Sequence, residues 1–319
     1  MSYRQTTVSG FPAVALRSDE IEVVAVPAVG LRLTHLRRLR GREWLWRNEQ
    51  VPLALPRAGA SYAETADSGG WVECFPTVEA SPIPGAPPGT APLPDHGELW
   101  SADWDSSVYD HADGTTLTGT AQGMRLPYEF QRDVTLLRSE PVVRFRYRLR
   151  HTGDAPFPWI WSALPLFNVR PGSTLEIPGV PQVKLAAVHG RDDLSPDDIV
   201  SWPGAIGGDP AEFVFPEPGG WAVKLFGDFG AGPLILTDPR QGERLEIAVS
   251  PTAVSQVGIW LNPGGWAPAG RIPYYNLALS PCIGAPDRLE DAVLRWQTAP
   301  VLRPGGERAW EISVTLPEP

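Results

Sequence analysis

Cysteine and lysine are scarce in this chain, and basic residues are fewer than acidic ones. Only two cysteines occur in 319 residues, which is too few for a disulfide framework. Cys74 and Cys282 lie in apolar surroundings, so we expect buried free thiols. Lysine occurs only as Lys184 and Lys224. The formal net charge of -10 argues against a nucleic-acid or anionic-membrane surface, since both require clustered positive charge.

Long apolar segments are also missing. No apolar run approaches the roughly 20 residues that a membrane-spanning helix needs. The N-terminal sequence M-S-Y-R-Q-T-T-V lacks the apolar core of a signal peptide. The sequence therefore predicts a cytoplasmic protein without a membrane partner.

Helical periodicity is nearly absent, whereas period-2 alternation is common. Residues 142–150, V-V-R-F-R-Y-R-L-R, alternate apolar and arginine side chains, as a half-buried strand does. The 36 prolines and 32 glycines separate many short strands. These patterns predict an all-β fold, a large antiparallel β-sandwich, with a single domain over residues 1–319. Further strands are predicted at residues 21–26, 221–226, 233–237, 245–249 and 310–316.

The segment P-D-H-G-E-L-W combines several reactive side-chain types. It places His96, one of five histidines, between Asp95 and Glu98, with Trp100 close behind. The Pro/Gly-rich loop before it, residues 81–94, is compatible neither with a helix nor with a central strand. Loops on a rigid scaffold often carry binding and catalytic residues, so we expect a site here.

Four stretches of sequence, one of which includes the segment around His96, carry motifs that can be compared with those of known families. They are V-P-A-V-G-L-R-L-T-H-L-R (26–37) with G-R-E-W-L-W-R (41–47), G-G-W-V-E-C-F-P-T-V (69–78) leading to L-P-D-H-G-E-L-W (93–100), F-P-W-I-W-S-A-L-P-L-F (157–167), and Y-Y-N-L-A-L-S-P-C-I-G-A-P-D-R-L (274–289). In this order they resemble the galactose mutarotase (aldose 1-epimerase) superfamily. The resemblance implies a large antiparallel β-sandwich of the galactose mutarotase-like type, which binds a sugar in an open cleft.

The resemblance also implies chemistry without a cofactor. In a mutarotase, a carboxylate takes the proton of the anomeric hydroxyl while a histidine protonates the ring oxygen, so that the ring opens and recloses on either face. The superfamily's first histidine corresponds to His96. Its second histidine falls on Leu164 and its glutamate on Ser280, and neither side chain suits these roles. We therefore expect Glu98 or Asp95 as the partner of His96, because Glu98, two residues along an extended segment, would point to the same side.

Other candidates come from the same segments. Arg42 forms either an exposed ion pair or a donor to a sugar, and Glu73 lies either on an exposed strand face or in the cleft. Asn276 and Ser280 alternate along one predicted strand and would share a wall. No metal site is expected, because a metal needs three or more converging ligands. The predicted catalytic residues are His96 and Glu98, and the predicted substrate-binding residues are Arg42, Glu73, Asp95, Trp100, Trp260, Asn276 and Ser280.

Two classes of function remain after these considerations. The first is an aldose 1-epimerase-like sugar isomerase, which needs no cofactor and takes a carbohydrate as its partner. The second is a carbohydrate-binding or sensing protein that keeps the fold without the chemistry. A third alternative is action on a different carbohydrate, for which residues at other positions of the cleft wall would serve as acid and base. No nucleic-acid partner is expected, and the sequence does not define the oligomeric state.

Overall fold

Two large antiparallel β-sheets make up the fold. The structure, a computed structural model, describes residues 2–55, 57, 59–207, 212–230 and 232–318. Neither α-helix within these residues is long and apolar enough to cross a membrane. The helices are α1 (Tyr62–Thr65) and α2 (Leu289–Leu294), with 3-10 turns at Leu99–Ser101 and Gly204–Ile206. The strands, in chain order, are β1 (Ser2–Val8), β2 (Phe11–Arg17), β3 (Ile21–Val26), β4 (Arg32–Arg38), β5 (Trp71–Cys74), β6 (Asp105–His111), β7 (Gly114–Gln122), β8 (Tyr128–Leu137), β9 (Val142–His151), β10 (Phe157–Pro158), β11 (Trp161–Phe167), β12 (Thr174–Glu176), β13 (Gln182–His189), β14 (Ile199–Ser201), β15 (Phe213–Val214), β16 (Ala222–Asp228), β17 (Leu234–Thr237), β18 (Arg244–Val249), β19 (Gln256–Pro263), β20 (Tyr275–Ile283), β21 (Val301–Leu302) and β22 (Glu307–Thr315).

The order of strands brings distant parts of the chain side by side. The described strands form an eleven-stranded sheet, a nine-stranded sheet and the separate pair β10–β21. The first sheet has the order β1-β2-β3-β4-β5-β11-β20-β19-β16-β13-β14. The second has the order β15-β12-β17-β18-β22-β9-β8-β7-β6. Neighbouring strands run antiparallel, as β11 does with β20 and β9 with β22.

Strand β9 shows how the sequence pattern becomes a sheet. Its four alternating apolar residues are buried, and the arginines between them are exposed or partly exposed. Arg146 and Arg148 pair at 2.7 Å with Glu311 and Glu307 of the neighbouring strand β22. Exposed pairs of this kind contribute about 0–1 kcal/mol, so the buried apolar face supplies most of the stabilisation.

Aromatic rings from both sheets meet in the core. Trp71 of β5 stacks on Phe145 of β9, with ring centroids 4.4 Å apart. Tyr147 of β9 lies between Trp161 of β11 at 4.8 Å and Trp310 of β22 at 5.5 Å. Burying one large apolar side chain stabilises the fold by about 1.5–3 kcal/mol. These contacts hold the two sheets face to face.

The predicted all-β class and the predicted strands are confirmed. The predicted strands at residues 21–26, 221–226, 233–237, 245–249 and 310–316 correspond to β3, β16, β17, β18 and β22, with small differences at their ends. The all-β sandwich follows from the two packed sheets. Cys74 and Cys282 are free and buried, as expected.

Candidate functional site

A cleft of about 280 Å³ opens on the outer face of the eleven-stranded sheet. Its floor consists of Leu164 and Leu166 from β11, Ala278 from β20, Trp260 from β19 and Lys224 from β16. These four strands are consecutive in the sheet. Side chains alternate along a strand, so the residues between them point into the core instead. The volume lies near the lower end of the range for ligand pockets, about 300–1,000 Å³.

His96 stands at the wall of the cleft and is held on two sides. Its ring stacks on Tyr62, with centroids 4.2 Å apart. Its Nδ1 lies 2.8 Å from Oδ1 of Asp95, which leaves Nε2 as the ring nitrogen available to a ligand. A carboxylate at one ring nitrogen fixes both the orientation and the tautomer of the imidazole. His96 is therefore a positioned imidazole rather than a freely rotating side chain.

Asp95 also lines the cleft. Its Oδ2 accepts hydrogen bonds from Oγ of Ser61 at 2.9 Å and from the backbone N–H of Ala63 at 3.3 Å. Burial by itself raises the pKa of Asp95, but the hydrogen bond and charge of His96, with the donors at residues 61 and 63, lower it to about 2. Asp95 is consequently ionised at neutral pH.

The turn at residues 96 and 97 sends Glu98 away from the cleft. His96 and Gly97 both have positive φ, 59° and 70°, so the segment is not extended. Glu98 is buried, and its carboxylate accepts hydrogen bonds from the hydroxyl of Tyr128 at 2.9 Å and from the backbone N–H of Arg125 at 2.8 Å. The expectation that Glu98 points to the same side as His96 is wrong, because it assumed an extended backbone.

Three further charged residues, Lys224, Asp287 and Glu79, lie close to one another in the cleft. Nζ of Lys224 is 3.6 Å from Oδ1 of Asp287, and Glu79 lines the same cleft. Partial desolvation raises the pKa of the Glu79 carboxyl, and the charge of Asp287 raises it further, whereas Lys224 and His96 act in the opposite direction. Glu79 remains accessible to solvent. It is thus an exposed carboxylate with an elevated pKa, which suits a general base.

Backbone hydrogen bonds fix these wall segments to one another. The backbone N–H groups of Val78 and Glu79 both donate to the carbonyl of Asp287 at 2.8 Å. The backbone N–H of His96 donates to the carbonyl of Val78 at 2.5 Å. The backbone N–H of Glu98 donates to the carbonyl of Phe75 at 2.7 Å. These hydrogen bonds set the relative positions of the wall segments, and side-chain contacts then orient the charged groups.

Lys224 reaches along the floor to Gly258 of strand β19. A Cβ on Gly258 would lie 3.3 Å from Nζ of Lys224, so the glycine leaves room for the lysine. Gly258 pairs directly with Ser280, the position at which the superfamily resemblance implies a glutamate. Ser280 is fully buried, and its Oγ has no hydrogen-bond partner within the described residues. The ammonium group of Lys224 thus lies beside Gly258, the cross-strand partner of Ser280.

Aromatic side chains close one end of the cleft. Trp260 and Trp266 pack edge to face, with ring centroids 5.6 Å apart. His189 lies 6.1 Å from the first ring and 6.2 Å from the second, and burial lowers its pKa. Half-buried indole rings of this kind offer an apolar surface beside polar groups.

Several predicted binding residues lie outside the cleft. Glu73 is fully buried between the sheets, where it forms an ion pair with Arg132 and accepts hydrogen bonds from Trp71 and Trp161. Arg42 forms an ion pair with Asp238 and donates to the carbonyl of Asn168 at 2.7 Å.

Trp100, Asn276 and Ser280 lie near the cleft without lining it. Trp100 packs edge-on against Tyr62 behind His96. Asn276 and Ser280 are buried in β20, and they share a strand face with Ala278 of the floor because the three residues are spaced two apart. Of the predicted residues, the structure brings His96, Asp95 and Trp260 together in the cleft.

The prediction missed much of the wall. Tyr62, Asp67, Glu79, Lys224 and Asp287 line the cleft, but none was among the predicted site residues. Lysine is so rare in this chain that Lys224, on an apolar strand, carried a usable signal. The described residues contain no group of three His, Cys, Asp or Glu side chains able to hold a metal ion.

Comparisons with known proteins identify the fold. No family model and no curated protein matches the chain. Solved structures do match: the Slr1438 protein from Synechocystis sp. PCC 6803 has a TM-score of 0.70 at 17% identity, covering 99% of this chain and 98% of its own. The galactose mutarotase related enzyme from Lactobacillus acidophilus has a TM-score of 0.67 at 15% identity, covering 96% and 97%. A galactose mutarotase-like protein from Lactobacillus casei ATCC 334 has a TM-score of 0.66 at 16% identity, covering 96% and 100%.

Proposed function

We propose that this chain, which has the galactose mutarotase-like fold, binds an aldose in the cleft and interconverts its anomers. The observation that carries the proposal is the arrangement of His96, fixed by Asp95, on the same cleft wall as the accessible carboxylate of Glu79. The volume of about 280 Å³ suits a monosaccharide rather than a longer chain. Trp260 offers an apolar surface for the C–H face of the sugar ring.

The chemistry requires one acid and one base. Glu79 takes the proton of the anomeric hydroxyl while Nε2 of His96 gives a proton to the ring oxygen, and the bond between the anomeric carbon and the ring oxygen breaks. The open-chain aldehyde rotates, and the ring closes on the other face as both protons return. Asp95, ionised at neutral pH, stabilises the protonated imidazole. Lys224 and Asp287 bind sugar hydroxyls from the floor and the wall.

The test is anomer exchange measured by NMR or polarimetry with His96→Asn and Glu79→Gln. Asparagine tolerates the positive φ of position 96 better than most residues, so the turn is retained. We expect each variant to lose about 100-fold or more in turnover, the usual size of a general acid or base contribution. In the wild type, turnover falls as pH drops through the pKa of Glu79, which lies above the ordinary 4.5. Glu79→Gln removes that dependence.

The matched control is His111→Asn, which changes a histidine of β6 in the other sheet. It should keep full activity. Unchanged turnover in both cleft variants would show that the assigned acid and base are wrong.

A second candidate is sugar binding without catalysis. The specific observation in its favour is that Leu164 lines the cleft and Ser280 is buried, at the two positions where the superfamily resemblance implies an acid and a base. In that case anomers of glucose, galactose and other aldoses bind, yet their exchange is no faster than in buffer. Leu164→His with Ser280→Glu would then be expected to introduce exchange activity.

A further inference from the structure

We infer that the cleft selects uncharged aldoses and excludes their phosphate esters. The inference rests on the proposed sugar-binding function and concerns which class of sugar enters. It follows from the balance of charge on the walls and from the partners that already occupy each nearby cation.

Carboxylates outnumber cations around the cleft. Asp67, Glu79, Asp95 and Asp287 all line it, whereas Lys224 is the one Lys or Arg side chain among the described lining residues. Desolvation raises the pKa of Glu79, and repulsion from the charge of Asp287 raises it further. A phosphate dianion placed among them would meet further repulsion, which is strong at a partly desolvated site.

The cleft cations are already paired. Nζ of Lys224 lies 3.6 Å from Asp287. Nδ1 of His96 is bonded to Asp95. Lys224 is also nearly buried, with 10% of its side chain exposed. A phosphate would have to break the contact with Asp287 before it could pair with Lys224.

Cations just outside the cleft are likewise occupied. The guanidinium of Arg32 donates to Oγ of Ser68 at 2.8 Å and to the carbonyls of Gly69 and Ala66. Arg295 pairs with Asp197 on the far side of the wall. No bidentate arginine, the usual receptor for a phosphate, is free among these neighbours. The neutral hydroxyls of a sugar, in contrast, can donate hydrogen bonds to the carboxylates that line the cleft.

The experiment is calorimetric titration with D-glucose, D-galactose and their 6-phosphates, beside the 6-O-methyl ethers as uncharged controls for size. We expect the phosphates to bind at least about tenfold more weakly than the parent sugars, while the ethers follow the parent sugars more closely. Raising the salt from about 0.05 M to about 0.5 M should narrow the difference, because salt screens repulsion. Asp287→Asn should also narrow the difference in affinity between the phosphates and the parent sugars, because it frees Lys224 to pair with a phosphate. Glu311→Gln on the other sheet changes the net charge equally and should leave the difference unaltered.

The outcomes separate the two proposals. Phosphate esters that bind as tightly as the parent sugars would overturn the charge inference and leave sugar binding intact. An ether penalty as large as the phosphate penalty would also overturn it, because size would then explain the result. If neither sugars nor phosphates bind, both the inference and the proposed function fail.

Discussion

Glu73 and Arg132 form an ion pair whose side chains have no exposed surface. Burial raises the pKa of Glu73 to about 7, although Arg132 and the donors Trp161, Tyr147 and Trp71 lower it. The predicted role of this residue as a sugar ligand has no support in its position, since it lies on the core side of β5. Glu73 instead accepts hydrogen bonds from several buried donors.

Replacing Glu73 should therefore affect stability. Glu73→Leu leaves Arg132 as an unpaired buried charge and removes the acceptor for three aromatic donors. We expect the free energy of unfolding to fall by about 3–5 kcal/mol, measured by urea denaturation. Glu311→Leu removes the exposed partner of Arg146 and should cost less than about 1 kcal/mol. Equal losses for the two variants would contradict this account of the core.

At the scale of elements, the turn after the Pro/Gly-rich loop determines the geometry of the site. Gly97 has φ of 70°, and a Cβ there would lie 2.2 Å from the carbonyl oxygen of Phe75. The glycine is needed both for its conformation and for the close approach of two backbones. Its neighbour His96 shares the left-handed conformation, which is uncommon for a residue with a side chain.

Gly97→Ala should displace this turn and with it His96. Gly10, in the β1–β2 turn, is a suitable comparison because its φ is also positive, 85°, but its Cβ would have open space. Gly10→Ala should cost about 1–2 kcal/mol in stability from conformation alone. Gly97→Ala should cost clearly more and weaken sugar binding at least about tenfold, measured by denaturation and by titration. If the two variants behave alike, the contact with Phe75 does not matter.

The same turn marks the limit of prediction from sequence. Alternation in β9 is a local property, so the strand and its buried face could be read directly from V-V-R-F-R-Y-R-L-R. The direction of Glu98 depends on the backbone at Phe75, far away in the sequence. Glu79 and Asp287 meet only because a hydrogen-bonded backbone joins their segments. His96 and Trp260 could be predicted from their local motifs, whereas this carboxylate pair could not.

At the scale of the whole molecule, polar contacts join the edges of the two sheets outside the core. Arg42, in the turn after β4, pairs with Asp238, which follows β17 of the other sheet. Arg170 contacts the same carboxylate at 3.0 Å, and the backbone N–H of Arg42 donates to Glu243 at 3.2 Å. The predicted sugar ligand Arg42 thus has a position suited to holding the sheets together.

Arg42→Met should separate stability from ligand binding. Loss of hydrogen bonds to a charged partner should lower the free energy of unfolding by about 1.5–3 kcal/mol, because Asp238 keeps Arg170. The dissociation constant of a bound aldose should stay within about twofold, since Arg42 does not line the cleft. Arg40→Met, two residues earlier and exposed, should change neither quantity. A large loss of affinity in Arg42→Met would return this residue to the site.

The hydrogen bonds that tie Val78, Glu79 and His96 into the wall involve backbone atoms. Side chains at positions 79 and 287 can therefore be exchanged in combination while the frame that carries them persists, whereas the positive φ at position 96 limits the exchange there to residues such as asparagine and glycine. This makes the cleft a convenient starting point for directed evolution. A library restricted to these positions and to Leu164 would sample new acid, base and ligand combinations without first having to rescue the fold.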